Sequence, residues 1–174
     1  MDPKYPIGKF AFNGNITEKI LEQWIQDIEE LPCLIREAVQ DLNEEQLDTP
    51  YRKGGWTIRQ VVHHLADSHL NAYIRIKLAL TEENPTIKPY NEAQWAKLPD
   101  YRLPIDVSLS LLDSLHRRWT HLLKNLKPQE LEKNFYHPDS GKHSVYLSIG
   151  TYSWHGRHHL AQIINLLLTK GWKS

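Results

Sequence analysis

"GGWTIRQVVHHLADSHLNAYIRIKLAL", residues 54–80, decides the fold. Apolar residues recur at 58, 61, 62, 65, 72, 73, 76 and 80, the three-and-four spacing of a helix with one buried face. Gly54 and Gly55 precede it, and Thr57 and Gln60 stand at the separation of a capping box, which predicts a helix from about residue 57 to 81. Its His-His-Leu-Ala tetrapeptide recurs at residues 158–161, inside "GTYSWHGRHHLAQIINLLLTK", residues 150–170. That second stretch is also helical in period, with Gly171 as its stop.

Two further stretches have the same character. Residues 17–42, "TEKILEQWIQDIEELPCLIREAVQDL", are helical in spacing, and Pro32 is expected to kink or divide them. Residues 105–128, "IDVSLSLLDSLHRRWTHLLKNLKP", place apolar side chains at 107, 111, 112, 115, 119, 122, 123 and 126, with Asp106 as a cap. Four substantial helices and little else predict an all-α, four-helix bundle.

The connections carry information too. Residues 83–104 hold four prolines and at most one short helical turn near Glu92. About 20 residues suffice to return along a bundle of about 30 Å, so the second and third helices can run parallel. Such a Pro-rich crossover is a candidate lid. Before the last helix, a Pro-Asp-Ser-Gly turn and the alternation Val145, Leu147, Ile149 suggest a small hairpin.

Composition bounds the function. The 174 residues fit a single domain, 1–174. Lys plus Arg equals Asp plus Glu at 21 each, which gives no field to hold nucleic acid or an anionic membrane. One cysteine, Cys33, excludes an intrachain disulfide and reads as a small core residue. With no signal-like N-terminus and no membrane-length apolar run, a cytoplasmic protein is expected.

Ten histidines remain to be placed. At 100° per residue, His64 lies roughly 130° from the centre of its helix's apolar stripe, bordering the core. His155 and His159, four residues apart, share one face of the last helix at the equivalent border. Side chains converging from two helices at the edge of a bundle core can build a metal site, and imidazoles at i, i+4 suit one ion. His63 and His158 point to the other flank, as surface groups or as donors behind the ligands. His69, on the stripe itself, reads as a hydrogen-bonded core histidine. His116, His121, His137 and His143 lack partners at ligand spacing. Gly156 stands where a zincin protease needs its Glu, so that enzyme class is excluded.

"GGWTIRQVVHHLADS" followed some ninety residues later by "WHGRHHLAQI" resembles the signature of the DinB/YfiT-like metalloenzyme family, and the resemblance spans essentially the whole chain. It implies an up-down-down-up bundle, often a homodimer. It places the metal-binding histidines on His64, His155 and His159, holding one divalent ion per chain, zinc first and nickel second.

Three neutral ligands leave an open coordination position, as in catalytic rather than structural sites. Two chemistries with a small-molecule substrate then compete. Either metal-bound water acts as the nucleophile of a hydrolase, or the ion activates a low-molecular-weight thiol for S-transfer, as the resemblance to bacillithiol- and mycothiol-using transferases implies. A non-enzymatic helical interaction module is the third reading, and it requires neither an open position nor a pocket. Asp67, one turn beyond His64, is the nearest candidate proton carrier or imidazole partner. Trp56, Trp95, Tyr101, Tyr152 and Trp154 are candidate pocket walls.

Overall fold

The computed structural model describes residues 2–173. Its elements, in chain order, are α1 (Glu18–Val39), α2 (Glu44–Leu47), α3 (Ile58–Thr81), α4 (Glu92–Trp95), a 3-10 turn (Pro99–Arg102), α5 (Ile105–Lys124), α6 (Pro128–Leu131), β1 (Asn134–His137), β2 (Gly141–Ser144) and α7 (Val145–Lys170). The four long helices form the bundle. None of the described helices is long and apolar enough to cross a membrane.

Local chemistry sets most boundaries. The Thr57 hydroxyl accepts from Gln60 N–H while the Gln60 side chain accepts from Thr57 N–H, each at 3.1 Å, which closes the expected capping box of α3. Gly171, at φ 64°, ends α7 in the left-handed conformation. α5 is entered through Pro104, with Asp106 in its first turn rather than as its cap.

Two further features differ from the sequence expectation. Pro32 does not divide α1, which continues from Glu18 to Val39. The Ile28 carbonyl, whose helical donor position 32 cannot supply, instead accepts from His116 Nδ1 of α5 at 2.5 Å. The hairpin exists, but its second strand is Gly141–Ser144, paired Asn134↔Ser144 through His137↔Gly141. Val145, Leu147 and Ile149 belong to α7, because Ser144 caps Leu147 N–H and starts the helix five residues early.

The core is built as two clusters, and they give the helix directions. One joins the N-terminal half of α1 (Trp24, Ile28) to the C-terminal half of α3 (Ile76, Ala79), the C-terminal half of α5 (Trp119, Leu123) and the start of α7 (Val145, Ile149). The other joins the opposite halves: Ile35, Val61, Leu109 and Ile163. With α1 taken as up, α3 and α5 are down and α7 is up. The parallel α3 and α5 make the 83–104 crossover necessary. It is tied at one end to the hairpin, where Ile87 N–H donates to Tyr136 O and Tyr136 N–H to Pro85 O, each at 2.9 Å. Along α3, Gln60 Nε2 donates to Ala96 O at 3.1 Å.

α7 sits deep because two of its residues lack side chains. A Cβ on Gly150 would come within 2.8–2.9 Å of three atoms of the Trp24 ring, and one on Gly156 within 2.5 Å of Leu31 Cδ2. Gly150→Ala gains about 1 kcal/mol of helix propensity, yet it must displace a rigid indole, and overpacking costs about 1–3 kcal/mol. The expected net effect is a destabilisation of up to about 2 kcal/mol, read as a lower urea midpoint at unchanged m-value; a midpoint above wild type would show that α1 and α7 can separate freely.

Candidate metal centre

α3 and α7 pack side by side, and their seam gathers His64, His155 and His159. Each of the three offers one ligand nitrogen, and these atoms all lie within 4.8 Å of one another. His64 Nε2 and His155 Nε2 are 3.3 Å apart. Two nitrogens bound at 2.0–2.1 Å to a tetrahedral zinc ion stand about 3.3–3.4 Å apart, so the spacing fits one ion between them.

The outer edges of the rings are held differently. His159 Nδ1 donates to Gln162 Oε1 at 2.8 Å, which leaves its Nε2 with a free lone pair. The Gln162 amide is oriented in turn, because its Nε2 donates to Lys4 O and to His158 Nε2, both at 3.0 Å. His155 Nδ1 meets His69 Nε2 at 3.1 Å. His64 Nδ1 is buried with no partner. With only Nε2 facing a polar neighbour, His64 is tied into the structure through the cluster itself.

Burial lowers the pKa of every ring in the group. His64 falls to about 4 through desolvation, and His155 and His159 lie well below the ordinary histidine value for the same reason, reinforced by neighbouring imidazoles. Near neutral pH all three are uncharged, the protonation state that metal ligation requires.

The cluster forms the floor of a cavity of about 300 Å³ whose walls include Tyr5, Tyr51, Arg52, Trp56, Glu92 and Trp154. Trp56 lies against His64 with ring centroids 4.5 Å apart, and 19° from parallel to His159. Lys4 and Arg52 place two cations in the lining, and Glu92 is its one carboxylate. Although Glu92 remains accessible to solvent, the enclosing groups desolvate its carboxyl and raise its pKa.

Other expected site residues fall elsewhere. Of the five aromatic candidates, Trp56 and Trp154 line the cavity. Trp95 packs on Tyr90, Tyr152 lies behind the cluster against His69, and Tyr101 donates to Asp67 at 2.7 Å. Asp67 is thereby engaged and hydrogen-bonds none of the three histidines. His64 is 1% exposed and not a border residue, because α7 covers the edge of the α3 stripe. His63 is likewise buried, between Ser108 Oγ at 2.7 Å and Leu103 O at 3.1 Å, rather than on the surface. Cys33, expected in the core, is exposed on α1. Gln162 was detectable in principle, three residues after His159 on the same face. Glu92 carried no local signal.

A helical bundle with a histidine trio beneath a cavity defines a class, and comparison supplies the family. The DinB superfamily matches residues 27–163, and the chain belongs to it. A protein of Oceanobacillus iheyensis named "Putative metal-dependent hydrolase" is 60% identical over 172 residues, covering 99% of this chain and all of that one. A Bacillus mycoides protein with the same description is 59% identical over 171 residues, covering 98% of this chain and 99% of the relative. The solved structure of YfiT from Bacillus subtilis, described as "a probable metal-dependent hydrolase with an unusual four-helix bundle topology", superposes with a TM-score of 0.96 at 47% identity, covering 99% of this chain and 100% of YfiT. The four-helix bundle protein TT2238, at 19% identity and a TM-score of 0.57 over 80% of this chain and 94% of that one, shares the fold.

The buried neutral rings predict an acid-labile protein. Their folded pKa values lie below that of an unfolded histidine, so the unfolded chain binds more protons and stability is lost as pH falls from about 6.5 toward 4. A shift from 6.5 to about 4, as for His64 and His116, corresponds to roughly 3 kcal/mol each at the acid limit. The melting temperature of chelator-treated protein should therefore drop steeply across that window; a flat profile would mean that the rings are not held neutral.

Proposed function

We propose that the protein is a metal-dependent hydrolase of small molecules in which His64, His155 and His159 hold one divalent ion, zinc first and nickel second. Residues 1–174 act as one catalytic domain in this reading, and the family resemblance extends it to a homodimer. The observation that carries it is the trio of neutral nitrogens, spaced for one ion, on the floor of a solvent-reaching cavity. A helical interaction module would need no such cavity. The ion, when bound, supplies a Lewis acid that brings the pKa of water from 15.7 toward 7 at an open coordination position.

The chain's own residues do the rest. Gln162 fixes the His159 ring, and Trp56 and Trp154 give the cavity apolar walls that limit water. Lys4 and Arg52 favour a substrate carrying an anionic group near its reacting centre. Glu92 holds or moves the proton: its raised pKa brings it closer to the range useful for general acid–base work near neutral pH.

A second reading, transfer of a low-molecular-weight thiol, is favoured by one observation. Among the described residues no Ser, Thr or Cys side chain lines the cavity, and a thiol cosubstrate would bring its own nucleophile.

The deciding experiment is metal content by mass spectrometry on untagged, unchelated protein, followed by an ester and amide panel and a thiol-consumption assay on the same samples. About one ion per chain is expected in wild type, with most of it lost in His159→Ala, and hydrolysis that chelation abolishes and added zinc restores. Metal-dependent thiol consumption without hydrolysis would transfer the assignment to the second reading, and a metal-free wild type would sink both. Glu92→Gln should keep its metal and lose about 10²-fold or more in kcat; unchanged kcat would remove Glu92 from the chemistry.

A further inference from the structure

A line of buried hydrogen bonds leads away from the histidine cluster, and it starts at a proline. Pro32 has no N–H, so the Ile28 carbonyl lacks its helical donor, and His116 Nδ1 approaches that oxygen at 2.5 Å. A carbonyl oxygen only accepts, so the proton is on His116 Nδ1. Burial keeps this ring uncharged near neutral pH, and His116 Nε2 therefore presents a lone pair. It faces His69 Nδ1 at 2.9 Å, which must donate. His69 Nε2, now a lone pair, faces His155 Nδ1 at 3.1 Å, which must donate in turn. His155 is left with its Nε2 lone pair toward the cluster, 3.3 Å from His64 Nε2.

The opposite polarity is excluded at the far end. It would put an unprotonated His116 Nδ1 against the Ile28 carbonyl at 2.5 Å, two acceptors in contact. Packing holds the rings in place: Trp119 stands at 90° to His69 and 85° to His116, and Tyr152 at 89° to His69. These groups lie behind the cluster, and none of His69, His116 or Pro32 lines its cavity.

We propose that the Ile28 carbonyl, His116 and His69 form a tautomer lock that forces His155 to present Nε2 as a metal ligand, and that Pro32 supports it by leaving that carbonyl free. His69 and His116 are positioning residues for the site. Neutral imidazole in water prefers its proton on Nε2, so three linked histidines all protonated on Nδ1 are not the default state. The lock places the cost of choosing that tautomer in folding, before any ion arrives.

The inference rests on the metal reading of the cluster, and its test separates the two. Two-bond 1H–15N spectra of the chelated wild type report each tautomer with no ion present. His69, His116 and His155 are all expected as Nδ1–H, and His155 found as Nε2–H overturns the lock whether or not the protein binds metal. Zinc affinity by chelator competition is then compared for two variants. His116→Leu, which removes the acceptor for His69, should weaken zinc binding by about 10–100-fold and return His69 and His155 to mixed tautomers. His116→Gln, whose amide oxygen can still accept from His69 Nδ1–H, should restore most of the affinity. A folded His116→Leu variant with wild-type affinity and wild-type tautomers overturns the proposal. If that variant does not fold, the wild-type spectrum still decides. Wild type that binds no zinc at all defeats the metal reading alone.

Discussion

The close approach of α7 to α1 is the constraint on which the rest of the structure depends. α7 carries two of the three clustered histidines, and its depth in the bundle fixes where they point. That depth exists because the Trp24 ring and the Leu31 side chain occupy the volume that side chains at positions 150 and 156 would need. With α7 seated there, the side of α3 that bears His64 is covered, and an edge position becomes interior. A shallower α7 would leave His64 in water, at its ordinary pKa and out of reach of His155.

The helix order does the remaining work. Since α3 and α5 run in parallel, the chain must travel the bundle's length between them, and this excursion delivers Glu92 to the rim of a cavity otherwise built from the N-terminal segment, α7 and the residues around the start of α3. It also passes along α3, where Leu103 O and Ala96 O satisfy His63 and Gln60. The crossover thus serves as both wall and hydrogen-bond partner, which explains how a segment with four prolines and only two short helical turns can be well anchored.

The bundle was legible in four helical periods, its parallel second and third helices in the length of the crossover, and the facing histidines in the repeated tetrapeptide and the i, i+4 spacing, although the depth of His64 was not. α5 was misphased. Its N-terminal half is apolar at 105, 107, 109, 111 and 112, so no single stripe stands out, and packing selects Ile105, Leu109 and Leu112 while Val107 and Leu111 stay exposed. The start of α7 was misread because Val145, Leu147 and Ile149 alternate like a strand. The helix instead buries Val145 and Ile149, four residues apart, and turns Leu147 outward. Proline at position 32 was expected to kink or divide α1, and it does not divide it; one sequence cannot reveal that a distant imidazole will take the orphaned carbonyl. The role of Glu92 was invisible for a related reason: the short turn that bears it was legible, but its destination is set by the path of the crossover and not by any local period.

The pairing of the first bundle helix with the last has a consequence for the order of events during synthesis. His64 is made early, but its partners His155 and His159 lie near the end of the chain, and Lys4, whose carbonyl holds the Gln162 amide, lies near its beginning. No growing fragment that stops short of α7 contains a second member of the trio. A ribosome-bound chain therefore carries His64 without either of its two partners, and the trio is complete only when α7 docks between α1 and α3. Any ion that this trio holds would thus meet its three ligands only in the finished fold, where the cavity, rather than the unfolded chain, governs access.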